Sequence, residues 1–157
     1  MTSLKDVFSK VCSLLNKHEV DFIVIGGLAV ATHGFARNTF DIDFWYKPTH
    51  ENYLNIISCF RELGVDVSSL DESVFNPTKA FLRFPVNGIN IEFLPSILGN
   101  ISYADAKRSA TKIDFGDMPI SILSRNHLIE NKLATNRPID KIDVEELKRR
   151  NESDEKL

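Results

Sequence analysis

A strand that carries two aspartates, placed shortly after a glycine pair, constrains this chain more than any other feature. The apolar run 22–25 ends at Gly26 and Gly27, a short helical stretch follows, and Asp41-Ile-Asp43 then alternates acids with a large hydrophobic residue. Side chains on a strand repeat with a period of two, so both carboxylates project from one face. At ~3.3 Å per residue their Cα atoms lie about 6.6 Å apart.

These two acids require a positive partner. Ile42 and Phe44 point to the opposite face and into the predicted core, so the strand itself is buried. A buried carboxylate is costly unless a charge or a metal compensates it. Carboxylate oxygens are the hard ligands that magnesium prefers. The pattern therefore predicts that Asp41 and Asp43 share a divalent cation, Mg2+ or Mn2+.

The glycine pair has two interpretations. Glycine at the end of a strand lets the backbone approach a ligand closely, and the helix that follows offers free N–H groups to an anion. Taken alone, Gly26 and Gly27 fit a simple tight turn equally well. Because the Asp-x-Asp strand follows so soon, the combination indicates a site for a phosphate and a metal.

A third acid, Glu92, comes from a predicted β-hairpin. Asn87-Gly88 lies between the apolar runs 80–86 and 89–94, and Asn-Gly in that context is a strong signal for a two-residue turn. Glu92 faces away from its apolar neighbours. Three carboxylates on adjacent strands are able to hold two metal ions ~3.5–4 Å apart. A solvent-facing glutamate on an edge hairpin would give the same pattern.

The remaining periodicity sets the order of elements. It predicts helices over 3–18, 28–33, 50–63, 103–110, 125–135 and 138–150, and further strands over 22–25, 40–46, 65–67, 112–115 and 118–122. This order predicts an α/β (α+β) fold, a mixed β-sheet with flanking helices. We expect a single domain over residues 1–148 and a charged flexible tail over 149–157.

Composition narrows the classes of function. The 157 residues are 43% hydrophobic, which is enough for one sizeable core, and the net charge of −3 gives no basic excess for binding nucleic acid. Cys12 and Cys59 lack redox or zinc spacing and are predicted to be reduced core thiols. No signal peptide or apolar run of membrane length is visible, so the sequence predicts a cytoplasmic protein with no membrane partner.

The stretch from Phe22 to Tyr46 resembles the signature of the nucleotidyltransferase superfamily, the polymerase-β-like fold. Its local form is similar to small prokaryotic nucleotidyltransferase-like proteins, including toxin components of abortive-infection-type systems. The resemblance extends over about residues 20–147. The matching motifs are Ile25-Gly-Gly-Leu-Ala-Val, His33-Gly, Arg37-x-Thr39, Asp41-Ile-Asp43, Leu128-Ile129-x-x-Lys132, Arg137-Pro-x-Asp140 and Asp143-Val-x-x-Leu147.

The resemblance implies a role for each matching residue. It assigns Asp41, Asp43 and Glu92 as catalytic metal ligands, with the third acid also activating the acceptor hydroxyl, and it assigns nucleotide phosphates to Gly26, Gly27 and Lys132. Two positions depart from the usual pattern. Glu92 stands where the family often has aspartate, and Gly27 stands where many members have serine.

The basic residues carry alternatives of their own. Arg37, in the turn before the aspartates, either clamps a nucleotide phosphate or pairs with Asp41. Lys132 lies within a run of helical charges that is typical of a solvated face with i,i+3 pairs. We predict instead that Lys132 points to the carboxylates and pairs with Asp41 or Asp43. On that view a Lys132→Met variant loses nucleotide affinity with little change in thermal stability.

The sequence therefore predicts a metal-dependent nucleotidyltransferase that moves a nucleoside monophosphate from a nucleoside triphosphate to an unknown acceptor. RNA, a protein and a small molecule such as an antibiotic all stay open as acceptors, and the resemblance allows a toxin–antitoxin partner. The alternative is a nucleotide- or partner-binding module of the same fold with little or no turnover. A metal-dependent phosphohydrolase is a weaker third reading, because it does not need the glycine loop.

Overall fold

One mixed six-stranded sheet organises the chain in the computed structural model, which describes residues 3–36, 39–70, 72 and 75–155. The helices are α1 (Leu4–Lys17), α2 (Gly26–Thr32), α3 (His50–Glu62), α4 (Tyr103–Ser109), α5 (Arg125–Thr135) and α6 (Pro138–Glu155). The strands are β1 (Phe22–Ile25), β2 (Asp41–Tyr46), β3 (Leu82–Val86), β4 (Ile89–Leu94), β5 (Thr111–Phe115) and β6 (Met118–Ile122). This architecture confirms the predicted fold class.

The strand order determines which distant segments become neighbours. The order across the sheet is β3-β4-β2-β1-β6-β5. Strand β2 runs antiparallel to β1 and parallel to β4, while β1 runs parallel to β6. The outer strands β3 and β5 close the two edges as antiparallel partners of β4 and β6. The strand with the two aspartates therefore lies beside the second strand of the Asn-Gly hairpin.

One face of the sheet is an aromatic core. Phe44 of β2 stacks on Phe93 of β4, with ring centroids 5.0 Å apart, and meets Phe22 edge-on at 5.2 Å. Phe60 of α3 stacks on Phe84 of β3 at 4.0 Å. Such aromatic pairs contribute about 0.5–1.5 kcal/mol beyond the burial of their surface. Because Phe44 and Phe93 point into this core, the acids beside them in sequence face the other side.

The second face is covered by the C-terminal helices. Trp45 of β2 packs edge-on against Tyr103 of α4 at 5.2 Å, and its indole N–H donates to the carbonyl oxygen of Pro95 at 3.2 Å. Leu128 of α5 and Leu147 of α6 are fully buried. Between helix α5 and the carboxylates of the sheet a cleft remains.

The segment 65–67 is not a strand, so that prediction was wrong. Gly64, at φ +82°, ends helix α3, and the N–H groups of Gly64 and Val65 bond to the carbonyls of Arg61 and Phe60, both at 3.0 Å. This pattern is the Schellman motif of helix ends. The backbone of Val65 is therefore used to terminate α3, while Val67 is buried without joining the sheet.

Two helix boundaries also differ from the prediction. Helix α2 begins at Gly26, two residues before the predicted start, so the glycine pair forms the first turn of the helix. Helix α6 continues to Glu155, past the predicted end at Arg150, because residues 151–155 contain no glycine or proline to end it.

Cys12 and Cys59 are fully buried free thiols, as predicted, and burial raises the pKa of Cys59 to about 12. Within the residues that the structure describes, no helix combines the length and apolar character that crossing a lipid bilayer requires.

Candidate active site

The register of the parallel β2–β4 pair places the acids on one face of the sheet. Asp43 lies opposite Glu92, and Asp41 lies opposite Asn90. Since side chains alternate along a strand, Asp41, Asp43 and Glu92 all project away from the aromatic core. The sequence predicted that Asp41 and Asp43 share a face. The pairing of β2 with β4 places Glu92 on that same face, beside Asp43.

Asp43 is the electrostatic centre of this group. Burial raises the pKa of its carboxyl group to about 7, and a hydrogen bond with Glu92 and the negative charges of Glu92 and Asp41 act in the same direction. Lys132 opposes the shift through its positive charge. Carboxylates this close repel each other, so near neutral pH Asp43 keeps a proton in a large fraction of the molecules.

Gly26 makes this crowding sterically feasible. It adopts φ +69°, a conformation that L side chains rarely take, and a Cβ atom there would lie 2.4 Å from Oδ2 of Asp43. Opposite Asp43 on β1 is Ile25, the residue just before Gly26. The backbone of the glycine pair therefore runs directly against the carboxylate, and no larger residue fits at Gly26.

An open cleft of about 500 Å³ lies above these residues. Its lining includes Gly26, Asp43 and Glu92 from the sheet side and Lys132 and Arg137 from the α5 side. The other lining residues are Ile25, Leu94, Ser96, Ile97, Leu98, Asn131 and Thr135. Asp41 projects from the same face but does not line the cleft.

Lys132 lies in a buried charge cluster between α5 and α6. Its side chain is 3% exposed, and its ammonium nitrogen lies 3.2 Å from Oδ1 of Asp140 and 3.1 Å from Oδ2 of Asp143. Both aspartates are fully buried. The alternative of a solvated helical face is therefore wrong for these residues, and the partners of Lys132 are these two acids in place of the predicted Asp41 or Asp43.

Asp140 is the acid that orders the α5–α6 connection. Its carboxylate accepts hydrogen bonds from Thr135 Oγ1 at 2.6 Å and from the backbone N–H and Nε of Arg137, both at 2.9 Å. Burial alone would raise the pKa of Asp140, but these bonds and the charge of Lys132 hold it well below its usual range. Asp140 is therefore an anchor that fixes the position of Lys132.

A further arginine, which the sequence did not single out, lies beside the acids. Arg83 of β3 is directly opposite Glu92 of β4, and its Nε lies 3.4 Å from Oε1 of Glu92. The two-residue turn at Asn87-Gly88 implies this register, so the hairpin signal was sufficient to find Arg83. By contrast, Arg37 lies outside the described residues.

The acids fit a metal only in part before substrate arrives. Among the described residues, no three His, Cys, Asp or Glu side chains are gathered into a ready-made metal site. Asp43 and Glu92 nevertheless form a close pair of hard oxygen ligands, and a cation would displace the proton that the raised pKa keeps on Asp43. Magnesium usually binds one or two carboxylates together with substrate phosphates and water. The arrangement fits a metal whose remaining ligands come from an anionic ligand and water.

We expect Gly26→Ala to destabilise the protein by about 2–4 kcal/mol, from its left-handed conformation and the overlap with Asp43. Gly64→Ala is a matched control, because Gly64 also has a positive φ, +82°, but an added Cβ meets nothing within 4 Å. That variant should lose only about 1 kcal/mol. Urea unfolding of both variants measures the difference, and equal losses would remove the steric role of Gly26.

The proton held by Asp43 predicts how stability depends on pH. The pKa of an unfolded aspartate is about 3.9, below the folded value of about 7, so the folded protein binds more protons between these pH values. The free energy of unfolding should therefore fall as pH rises from about 4 to about 7. In the absence of divalent cation, the unfolding free energy of the unmodified chain should fall by an amount on the order of 2 kcal/mol over this range. The Asp43→Asn variant should not show this fall, because it lacks the carboxyl group.

Thermal unfolding between pH 5 and pH 8 tests this dependence, with Asp114→Asn on the exposed surface of β5 as the control. Added Mg2+ should stabilise the unmodified chain most at the alkaline end, where less protonation opposes cation binding. Parallel pH profiles for the unmodified chain and Asp43→Asn would contradict the raised pKa of Asp43.

The charge cluster changes what we expect of Lys132→Met. Removing the ammonium group takes a positive charge away from two buried carboxylates, although Asp140 keeps Arg137, so the variant should lose about 3–5 kcal/mol of stability. Lys17→Met removes a surface partner of Glu62 and should cost under about 1 kcal/mol. Adding Asp143→Asn to Lys132→Met should recover stability but not nucleotide affinity. Recovery of both would assign Lys132 to folding alone.

Known proteins were compared with the chain by sequence and by structure. No protein-family model matches the sequence, and neither does any curated protein sequence. Solved structures do match. A candidate nucleotidyltransferase of Thermotoga maritima, TM1012, aligns with a TM-score of 0.63 and 21% identity over 87% of this chain and 86% of its own.

Two antibiotic-related structures are also similar. The lincosamide antibiotic adenylyltransferase LnuA, bound to lincomycin, aligns with a TM-score of 0.60 and 16% identity over 94% of this chain and 97% of its own. The antibiotic-resistance factor ANT(2'')-Ia aligns with a TM-score of 0.58 and 14% identity over 91% of this chain and 80% of its own. The sequence-based resemblance is thus confirmed at the level of architecture: the chain has the nucleotidyltransferase fold.

Proposed function

We propose that this chain transfers a nucleoside monophosphate from a nucleoside triphosphate to an acceptor hydroxyl in a reaction that depends on Mg2+ or Mn2+. The observation that carries the proposal is the convergence of Asp43, Glu92, Gly26 and Lys132 on one cleft. The similarity in fold to known nucleotidyltransferases supports the same reaction class.

The carboxylates are the metal-binding part of the proposal. Asp43 and Glu92, with Asp41 on the same face, would hold the cation together with the phosphates of the nucleotide. The bound cation supplies positive charge to the phosphoryl group and lowers the pKa of a hydroxyl next to it. Until then, protonation of Asp43 limits its repulsion with Glu92.

The basic groups are the phosphate-binding part. An ammonium group has three N–H donors, and Asp140 and Asp143 take two of those of Lys132. Lys132 also lines the cleft, so its positive charge would attract a phosphate bound there. Gly26 lets the backbone approach the phosphates closely. Positioning and charge neutralisation of this kind are the main sources of catalysis in phosphoryl-type transfer.

The reaction exchanges one phosphorus–oxygen bond for another. The acceptor oxygen forms a bond to the α-phosphorus, and the bond from that phosphorus to the bridging oxygen breaks, so pyrophosphate leaves with the electron pair. Glu92, at the outer side of the acid pair, accepts the proton of the acceptor hydroxyl and returns it to solvent. General-base assistance of this kind typically contributes 10²–10⁴-fold.

A binding module with little turnover is the second candidate. Asp41 does not line the cleft, and the described acids do not form a ready-made three-ligand site, which is the arrangement expected if catalysis had been lost. Antibiotics are one class of acceptor to test for an active enzyme, because the solved neighbours include a lincomycin-bound adenylyltransferase and a complex with adenylyl-2''-tobramycin. A toxin–antitoxin partner stays a prediction.

The test is incubation of the chain with each α-labelled nucleoside triphosphate, Mg2+ and a cell extract, followed by a search for labelled acceptor. Asp43→Asn should reduce transfer at least about 100-fold at saturating Mg2+ while leaving the fold intact, and Asp41→Asn should do the same. Asp114→Asn, far from the cleft, should not change transfer. Metal-dependent nucleotide binding without any labelled acceptor would favour the binding module, and full activity of Asp43→Asn would reject the catalytic assignment.

A further inference from the structure

The outer strand β3 presents an unassigned surface beside the carboxylates. Exposure alternates along residues 81–85, with Leu82 and Phe84 in the aromatic core and Phe81, Arg83 and Pro85 exposed. Arg83 projects from the same face as Glu92, because the two residues are directly opposite in the β3–β4 pair. We call Phe81, Arg83 and Pro85 the β3 shelf.

Arg83 is only partly used by its ion pair. Its Nε lies 3.4 Å from Glu92, while its side chain remains 55% exposed. A guanidinium group has five N–H donors in a fixed fork, so most of them remain for an anionic ligand in front of the shelf. An ion pair at this level of exposure contributes little to stability. The small stability gained from this ion pair therefore does not explain why an arginine stands at position 83.

Phe81 adds an apolar ring to this cation. Its side chain is 50% exposed, and it lies just before β3, two residues ahead of Arg83, where the alternation of exposure along residues 81–85 continues and an extended chain spans about 6.6 Å. Exposed aromatic rings provide stacking platforms for planar bases, and arginine pairs with phosphate oxygens. A ring and a phosphate joined by a sugar match this spacing.

The direction of the reaction places the acceptor on this shelf. Gly26 and Lys132, the proposed phosphate-binding groups, lie on the β1 and α5 side of Asp43, whereas Arg83 lies on the other side, beyond Glu92. In phosphoryl-type transfer the attacking and leaving oxygens are roughly in line through the phosphorus. If pyrophosphate leaves toward Gly26 and Lys132, the hydroxyl arrives from the side of Glu92 and β3.

We infer that the β3 shelf is an acceptor subsite for a molecule that combines an aromatic base, a phosphate and a free hydroxyl. Phe81 stacks on the base, Arg83 pairs with the phosphate, and the hydroxyl oxygen attacks the α-phosphorus as Glu92 takes its proton and pyrophosphate departs. This inference rests on the proposed transfer reaction. A free nucleotide and the end of an oligonucleotide share this chemistry.

Binding to the donor-loaded protein tests the subsite without knowledge of the natural acceptor. The chain is saturated with Mg2+ and an α,β-methylene nucleoside triphosphate, and calorimetry then measures the affinity for adenosine 5′-monophosphate, adenosine and a short 5′-phosphorylated oligoadenylate. Adenosine monophosphate should bind at least about tenfold more tightly than adenosine, since only it can pair with Arg83. Tighter binding of the oligonucleotide would identify a strand end as the source, and equal binding a free nucleotide.

Variants separate this role from a structural one. Arg83→Gln should weaken adenosine monophosphate about tenfold, leave adenosine unchanged and leave the affinity for the donor analogue within about twofold. Arg83→Lys should recover part of the loss, and Phe81→Leu should weaken both adenosine and its monophosphate. Arg108→Gln is the matched control, because Arg108 is an exposed arginine of α4 paired with Asp105.

Each result decides between the two proposals. Failure of the donor analogue to bind would overturn the proposed function and this inference together. Donor binding followed by equal affinity for adenosine and its monophosphate, by no binding of either, or by equal effects of Arg83→Gln and Arg108→Gln, would overturn the acceptor subsite and leave the proposed function standing.

Discussion

The contact between Asp43 and Glu92 is the interaction on which the rest of the site depends. The two carboxyl groups project from neighbouring parallel strands, and burial raises the pKa of Asp43 to about 7. This arrangement disfavours the fully ionised, cation-free protein and therefore favours whatever brings positive charge into the cleft. Gly26 belongs to the same constraint, because a side chain there would overlap the Asp43 carboxylate. The glycine turn is thus needed to accommodate the acid, independently of the phosphate-binding role proposed for it.

The second buried electrostatic feature is the cluster that holds Lys132. Two fully buried aspartates from α6 fix one lysine from α5, and Asp140 is itself held by Thr135 and Arg137. Burying charges is costly, and the ion pairs and hydrogen bonds of the cluster limit that cost while fixing the geometry of its members. The outcome is a rigid cation at the wall of the cleft. The two C-terminal helices therefore contribute to the site as well as covering the sheet.

These features give the site two sides. The glycine backbone and Lys132 line the cleft on the side of β1 and α5, while Arg83 and Phe81 lie outside its lining, at the outer strand β3. The acids occupy the boundary between them. The proposed transfer would use this polarity, because the donor and the acceptor would approach the reacting phosphorus from opposite directions. The strand order alone creates it, since β4 and β3 extend the sheet away from the glycine turn.

Local pattern was sufficient for most of the fold and for the acids. Periodicity predicted the elements of the sheet, the Asn87-Gly88 turn predicted the β3–β4 hairpin, and strand alternation placed Asp41 and Asp43 on one face. These features depend on neighbours in sequence, which is why the sequence by itself determined them. It failed at Val65, whose N–H terminates α3, because one short apolar run does not reveal its hydrogen-bond partner.

Only the tertiary structure decided that β2 pairs with β4, that Asp140 and Asp143 are buried around Lys132, and that Arg83 lies beside Glu92 on the side away from Gly26. Burial and the pairing of distant strands depend on long-range packing, and the charges of helix α6 look the same in sequence whether they meet water or a lysine.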